Sequence, residues 1–367
     1  MSEARAVISD GTGGFAVQEI DVGDPGPGEV LVELAASGVC HTDLQLAETV
    51  PLPMILGHEG AGTVVAAGDG VTRVAVGDRV LLTWAIACGT CFQCSRGNQV
   101  LCERLGLGPR GHARREATTR NGAPVLRAFN LGTMATATVV RQEAVVKLSS
   151  DLALTTACIL GCGVMTGFGS VVNAAKVLPG SSVVVLGCGG VGLNVVQGAR
   201  IAGATVIVGV DLQPDRLEMA TRFGATHTVQ ASADDSGLQA AAVEVRKIVG
   251  VRGADYAFEC TAVPQLGAAP LAMVRHGGTA IQVSGVEQEI AVDMRLFEWD
   301  KTYLNPLYGK CRPGVDFPRL LDLYERGLLL LDELVTRTYP LDDVATAFED
   351  MLAGRNAKGV LVLTDPR

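Results

Sequence analysis

At 367 residues the chain is longer than one ordinary core, and two domains are expected. Hydrophobic residues make up 48%, aromatics only 4%, and there are 45 glycines, a composition that suits a globular α/β protein. A net charge of −9 weighs against nucleic acid or an acidic lipid surface as partner.

The start, MSEARAVISDGTGG, has neither the basic nor the apolar region of a secretion signal, so a cytoplasmic protein is expected. Short β-branched runs at 29–35, 62–67, 78–82 and 137–140, separated by Gly, Pro and Asp, predict an irregular, mostly antiparallel β domain. Within that region Cys88, Cys91, Cys94 and Cys102 read C-x2-C-x2-C-x7-C. Thiolates this close along the chain can converge on one tetrahedral ion, and zinc favours such ligation. A ferredoxin-type cluster would want a three-residue last gap followed by Pro, whereas Glu103 follows a seven-residue gap here. Disulfides fit poorly, because the ten cysteines of a chain without a secretion signal stay reduced. Four sulfurs fill the coordination shell, so a zinc here holds a lobe together and does no chemistry.

Three other groups have ligand chemistry: Cys40 in GVCHTD, His58 with Glu59 in ILGHEGAG, and Cys162 in LGCGVMTG. Taken singly, a buried small cysteine or a hydrogen-bonded histidine reads as well, and spacing does not join them.

After about residue 164 the rhythm changes. A continuous apolar strand at 182–186 leads into a glycine turn and a helical run through 202; a strand at 206–210 and a helix at 214–223 follow, with further strands at 256–259 and 279–283. Such alternation predicts a parallel sheet. The 181–210 stretch is interrupted by Asn194, Gln197 and Arg200 and is not a membrane span. A helix at 317–326 and a strand at 359–363 close the chain. Gly187-Cys188-Gly189-Gly190-Val191-Gly192 matches G-x-G-x-x-G between strand and helix, the dinucleotide pattern whose turn and helix N-terminus receive a pyrophosphate. Asp211, at the end of the next strand, would accept from a ribose 2′-hydroxyl and repel a 2′-phosphate, which favours NAD over NADP. Arg216 fits the adenosine side or a solvated helix face.

GVCHTD, GHEGAG, the four-cysteine lobe, LGCGVMTG and GCGGVG, in that order over essentially the whole chain, resemble the zinc-dependent medium-chain alcohol dehydrogenases. The branch most resembled holds the glutathione- or mycothiol-linked formaldehyde dehydrogenases and the nicotinoprotein and aryl-alcohol dehydrogenases. The resemblance implies a GroES-like irregular β catalytic domain at 1–163 with its zinc lobe. A Rossmann doubly wound sheet at 164–306 would follow, then a return to the catalytic domain at 307–367. It implies two zinc ions per chain: a structural one on Cys88, Cys91, Cys94 and Cys102, and a catalytic one on Cys40, His58 and Cys162 that Glu59 can bind transiently. Two thiolates and an imidazole leave one position for a substrate oxygen, and NAD takes the hydride.

By the same likeness Asp43 hydrogen-bonds the ligand imidazole, although an Asx-turn former reads as well. Thr42 receives the alcohol proton, His41 contacts the coenzyme pyrophosphate, Thr166 lies beside the nicotinamide and Val191 presses on its ring. One departure stands out: where many relatives end a proton relay in histidine, this chain has Leu44-Gln45-Leu46, and Gln45 is no base. Trp84, Phe129, Leu131 and Val286 are the pocket candidates, and a large indole there favours primary alcohols. Arg104, Arg110, Arg114, Arg115, Arg120 and Arg127 form a basic concentration that would suit an anionic thiol conjugate or a solvated loop. The implied activity is reversible oxidation of primary alcohols, aromatic or allylic ones included, to aldehydes with NAD. The alternatives are an S-(hydroxymethyl)thiol formaldehyde dehydrogenase, a nicotinoprotein that never releases NAD, and a catalytically inactive NAD-binding sensor. A homodimer or homotetramer is implied as well.

Overall fold

The computed structural model describes residues 2–105, 117–148, 151–286 and 288–364. It divides into two units: Met1–Cys162 with Arg312–Gly327 and Leu331–Arg367, and Gly163–Cys311 with Leu328–Leu330.

The hub of the first unit is the strand Glu29–Gly38. Val30, Val32, Leu34 and Ala36 alternate into the core along it, the period-two pattern of a strand with one buried face. One edge pairs antiparallel with Gly60–Ala67. The other is shared by Ala137–Arg141, opposite residues 29–33, and Lys358–Val362, opposite residues 36–38. A second sheet is built on Ser2–Ser9, paired along its whole length with Phe15–Val22. Ile8, Ile20, Val22, Ile55 and Val139 form part of the core here.

In the second unit all strand pairings are parallel, in the order His227–Gln230, Val206–Asp211, Ser182–Leu186, Ala254–Glu259, Val274–Gln282, Thr302–Leu304. In chain order this is 3-2-1-4-5-6, the doubly wound arrangement. Val183, Val184, Val185 and Leu186 are all fully enclosed, as expected of a strand covered on both faces. Helix Pro214–Phe223 starts with Pro in its first turn and ends at Gly224, whose φ of +116° lies in the left-handed region that suits a helix C-cap. Leu217, Ala220 and Phe223 are its buried face.

Several elements depart from expectation, the unanticipated helices Gln239–Val249 and Val344–Leu352 among them. The last long helix is Pro313–Glu325 and starts four residues early, because Pro313 stands in the first turn, where a missing N–H costs nothing. Helix His41–Thr49, not anticipated, follows Cys40 directly and places Asp43 in its first turn.

Candidate active site

Ligand atoms of Cys40, His58, Glu59 and Cys162 lie within 4.8 Å of one another. Sheet register explains three of the four. Ser37 pairs with Gly60, so Cys40 and the His58–Glu59 pair sit at the same end of two neighbouring strands. Cys162 follows the short turn Cys158–Gly161. A side chain at Gly161 would meet the Leu82 carbonyl at 2.6 Å, so glycine lets that turn come close. Gly57 combines a φ of +96° with a backbone that leaves no room for a Cβ against Met134, and it presents His58 to the cluster.

His58 Nδ1 lies 3.0 Å from Asp43 Oδ1, which also accepts from the Gly57 N–H at 2.9 Å. His58 and Asp43 are both fully buried. The shared carboxylate oxygen fixes the ring and leaves Nε2 for an ion. Thr42 Oγ1 lies 3.7 Å from Cys40 Sγ. Lys358, which sequence reasoning missed, places Nζ 2.6 Å from Glu59 Oε1 and donates to the Val39 carbonyl at 2.8 Å. The only advance signal was one lysine at the start of an apolar terminal strand.

The charge states follow from these contacts. A hydrogen bond with Cys162, working against burial and helped by His58, holds Cys40 well below the ordinary thiol range. Burial opposes charge on His58, yet Asp43 and Cys40 outweigh it and raise its pKa well above the ordinary value. Cys162 is pushed well up by its bond with Cys40 and by burial. Burial lifts Glu59 to about 7, with Lys358 pulling the other way. A dication among these groups would displace the protons of Cys162 and His58, as metal uptake by thiol and imidazole ligands requires. The donor set therefore fits zinc with two sulfurs and one nitrogen, and Oδ2 of Asp43 and Oε2 of Glu59 are buried with no hydrogen-bond partner among the described residues.

The lobe cysteines also converge, with the four sulfurs within 4.8 Å of one another. Cys91 and Cys102 sulfurs are 4.0 Å apart, close to the roughly 3.8 Å edge of a tetrahedron with 2.3 Å zinc–sulfur bonds. Backbone N–H groups of Cys88 and Leu105 point at Cys102 Sγ, at 3.3 and 3.4 Å. Burial works against the Cys88 thiolate, but the Thr90 N–H and hydroxyl prevail and bring its pKa to about 6. Burial lifts Cys94 to about 12. These residues fit a zinc enclosed by four sulfurs.

In the second unit the three glycines of the turn act differently. Gly187 has a φ of +86°, a Cβ at Gly189 would meet nothing within 4 Å, and one at Gly192 would run into the Gly187 carbonyl. Those are the tight turn, the open approach for a pyrophosphate and the close helix packing that a dinucleotide site needs. Gly190 and Val191 open the following helix, Gly190–Ile201. Asp211 is tied to the turn: Oδ2 accepts from the Cys188 N–H at 2.8 Å and Oδ1 from the Gln213 N–H at 3.0 Å, with Arg216 at 3.9 Å. Thr166 lies in helix Gly163–Gly169, which packs so closely on Gly190–Ile201 that a Cβ on Gly167 would meet the Val191 carbonyl at 2.5 Å.

A family model described as the alcohol dehydrogenase GroES-like domain matches residues 26–150, and one described as zinc-binding dehydrogenase matches 190–326. A Mycobacterium tuberculosis protein described as an alcohol dehydrogenase D is 38% identical over 99% of this chain and 100% of its own. The S-(hydroxymethyl)glutathione dehydrogenase of Paracoccus denitrificans is 35% identical over the same shares. The crystal structure of benzyl alcohol dehydrogenase from Acinetobacter calcoaceticus superposes with a TM-score of 0.89, at 31% identity, over 99% of this chain and 100% of that one. The chain belongs to the zinc-dependent alcohol dehydrogenase family.

Membership makes it an NAD-dependent zinc oxidoreductase whose substrates are small-molecule alcohols and aldehydes. In this alcohol dehydrogenase an aromatic tier borders the cluster: Phe129 lies 4.7 Å from the His58 ring and Trp84 lies 5.2 Å from Phe129. Phe129 and Asn130 both have left-handed backbones, φ +52° and +59°, a strained pair of which Phe129 borders the His58 ring. Leu131 is fully enclosed, and Val286 belongs to the second unit. His41 is exposed at the start of its helix, four residues before Gln45. Arg127 donates to the Val139 carbonyl and Arg104 to Thr90, while Arg110, Arg114 and Arg115 lie outside the described residues. Among the described residues no single helix is long and apolar enough to cross a membrane.

Proposed function

We propose that this enzyme oxidises primary alcohols, aromatic and allylic ones among them, to aldehydes by hydride transfer to NAD, and runs the reverse reduction. The convergence of Cys40, His58 and Cys162 carries the reading. These three would hold the catalytic zinc, and Cys88, Cys91, Cys94 and Cys102 the structural one. When bound, the catalytic zinc supplies Lewis acidity that lowers the pKa of an alcohol and polarises a carbonyl. Asp43 keeps His58 in the tautomer that presents Nε2. Thr42, next to Cys40, takes the proton from the alcohol and passes it outward, with His41 and water completing a path that Gln45 cannot serve. Trp84 and Phe129 give an aryl group a surface to stack on and crowd out bulky secondary alcohols. Gly187, Gly189 and Gly192 receive the pyrophosphate, Asp211 with Arg216 the adenosine ribose, and Thr166 and Val191 the nicotinamide end.

The inward commitment of Arg127 and the Thr90 contact of Arg104 leave less of the basic concentration for an anionic thiol adduct, so the alcohol reading is preferred to the formaldehyde one. Growth of NADH absorbance with benzyl alcohol and NAD, without any thiol, is the expected result. Turnover of formaldehyde only when a low-molecular-weight thiol is added would replace this reading with the second. A cytoplasmic homodimer or homotetramer is inferred too: Thr302–Leu304 is an edge strand, and Trp299 and Leu307, three residues to either side of it in sequence, are exposed.

A further inference from the structure

We propose that Lys358 is the positioning residue that holds Glu59 off the catalytic ion, so that one coordination position stays open for substrate. The inference rests on the reading of Cys40, His58 and Cys162 as ligands. Glu59 offers a carboxylate oxygen to the same cluster, so a three-ligand site has a fourth candidate ligand beside it. That carboxylate is fully buried, and Oε2 has no hydrogen-bond partner among the described residues. A buried carboxylate needs a cation close by, and two compete for this one: the ammonium of Lys358 and the ion.

Geometry favours the ammonium. Val360 pairs with Gly38 on an antiparallel strand, which brings Lys358 level with Cys40. Nζ is anchored on the Val39 carbonyl at 2.8 Å while it engages Glu59 Oε1 at 2.6 Å, and the lysine is 12% exposed. Glycines frame the carboxylate where it stands. A Cβ on Gly38 would run into it, and one on Gly161 would lie 3.7 Å from the Glu59 Cα. Without the lysine charge, the ion is the cation left to Glu59, and the carboxylate moves onto it and closes the open position.

The test uses the full chain loaded with two cobalt ions and titrated with imidazole, the cobalt d–d bands reporting ligand entry. Lys358→Met is expected to need at least about tenfold more imidazole, the change that 1.4 kcal/mol of internal competition produces. Adding Glu59→Gln should restore wild-type imidazole affinity, and Lys358→Arg should keep it. Lys358→Gln, which loses the charge but keeps a donor for Val39, is measured alongside so that misfolding of the methionine variant does not stall the comparison. Wild-type affinity in both neutral variants, or no recovery on adding Glu59→Gln, overturns the role of Lys358. A wild-type spectrum unchanged by Cys162→Ser would instead sink the ligand assignment itself.

Discussion

Asp43 is the sharpest place to perturb this site without touching a ligand. Its Oδ1 accepts from two buried donors, the His58 ring N–H at 3.0 Å and the Gly57 backbone N–H at 2.9 Å. Asp43→Ala removes the acceptor from both. A buried donor left unpaired costs about 1–3 kcal/mol, so the pair costs about 2–6 kcal/mol of stability. Loss of a carboxylate behind a ligand histidine also weakens metal binding about 10–100-fold. Asp43→Asn keeps an oxygen for both donors and gives up only the charge, a difference of about 1–1.5 kcal/mol between charged and neutral hydrogen bonds. Urea unfolding of the zinc-loaded variants, with zinc per chain measured after dialysis against a graded chelator, separates the two effects. The alanine variant should lose the catalytic zinc first and keep the lobe zinc. Equal losses for alanine and asparagine, or loss of the lobe zinc as readily as the other, would refute the account of one oxygen serving two donors.

Cys162→Ser should reduce turnover to background while sparing NAD binding, and Cys102→Ser should chiefly lower the melting temperature. Metal analysis decides between them, since equal loss of both zincs in each variant would contradict separate roles. Asp211→Asn keeps an acceptor for the Cys188 N–H but loses the charge that repels a 2′-phosphate; the kcat/KM ratio of NADP to NAD should rise, and an unchanged ratio would count against the ribose assignment. Asp350 is held below the ordinary carboxylate range by the Tyr339 hydroxyl first, then by Arg355 against burial, with Arg337 adding to it. A depressed folded-state pKa means that its stabilisation is complete above the unfolded value of about 3.9 and is lost as pH falls through the lower folded value. The stability gap between wild type and Asp350→Asn should therefore hold constant from neutrality to about pH 5 and shrink below about pH 4; a gap that persists undiminished to pH 3 in urea titrations argues against it.

What could be read from the sequence was local. The glycine turn has its strand before and its helix after it, and the four lobe cysteines span fifteen residues, so each signal carried its own context. Strand Ser182–Leu186 and helix Pro214–Phe223 were legible for the same reason: an unbroken apolar run in one, proline and glycine punctuation in the other. Helix His41–Thr49 was not. Its enclosed residues are Asp43 and Ala47, a polar and a small side chain four apart, and no apolar stripe announces it. Spacing alone never joined Cys40, His58 and Cys162; only the likeness to a family did.

The reason lies in how this site is assembled. Cys40 lies two residues beyond the end of one strand, His58 and Glu59 precede its neighbour on one side, and Lys358 opens its neighbour on the other. Their meeting follows from the pairings of Ser37 with Gly60 and of Gly38 with Val360, and register is a property of folded sheets that periodicity within one strand does not reveal. A one-residue slip of Lys358–Val362 would turn Val360 and its neighbours to the opposite face and carry the lysine away from Glu59. The enclosed Val360 and Leu361 oppose that slip, so the core of the terminal strand sets the position of the Lys358 ammonium that faces the Glu59 carboxylate at hydrogen-bonding distance.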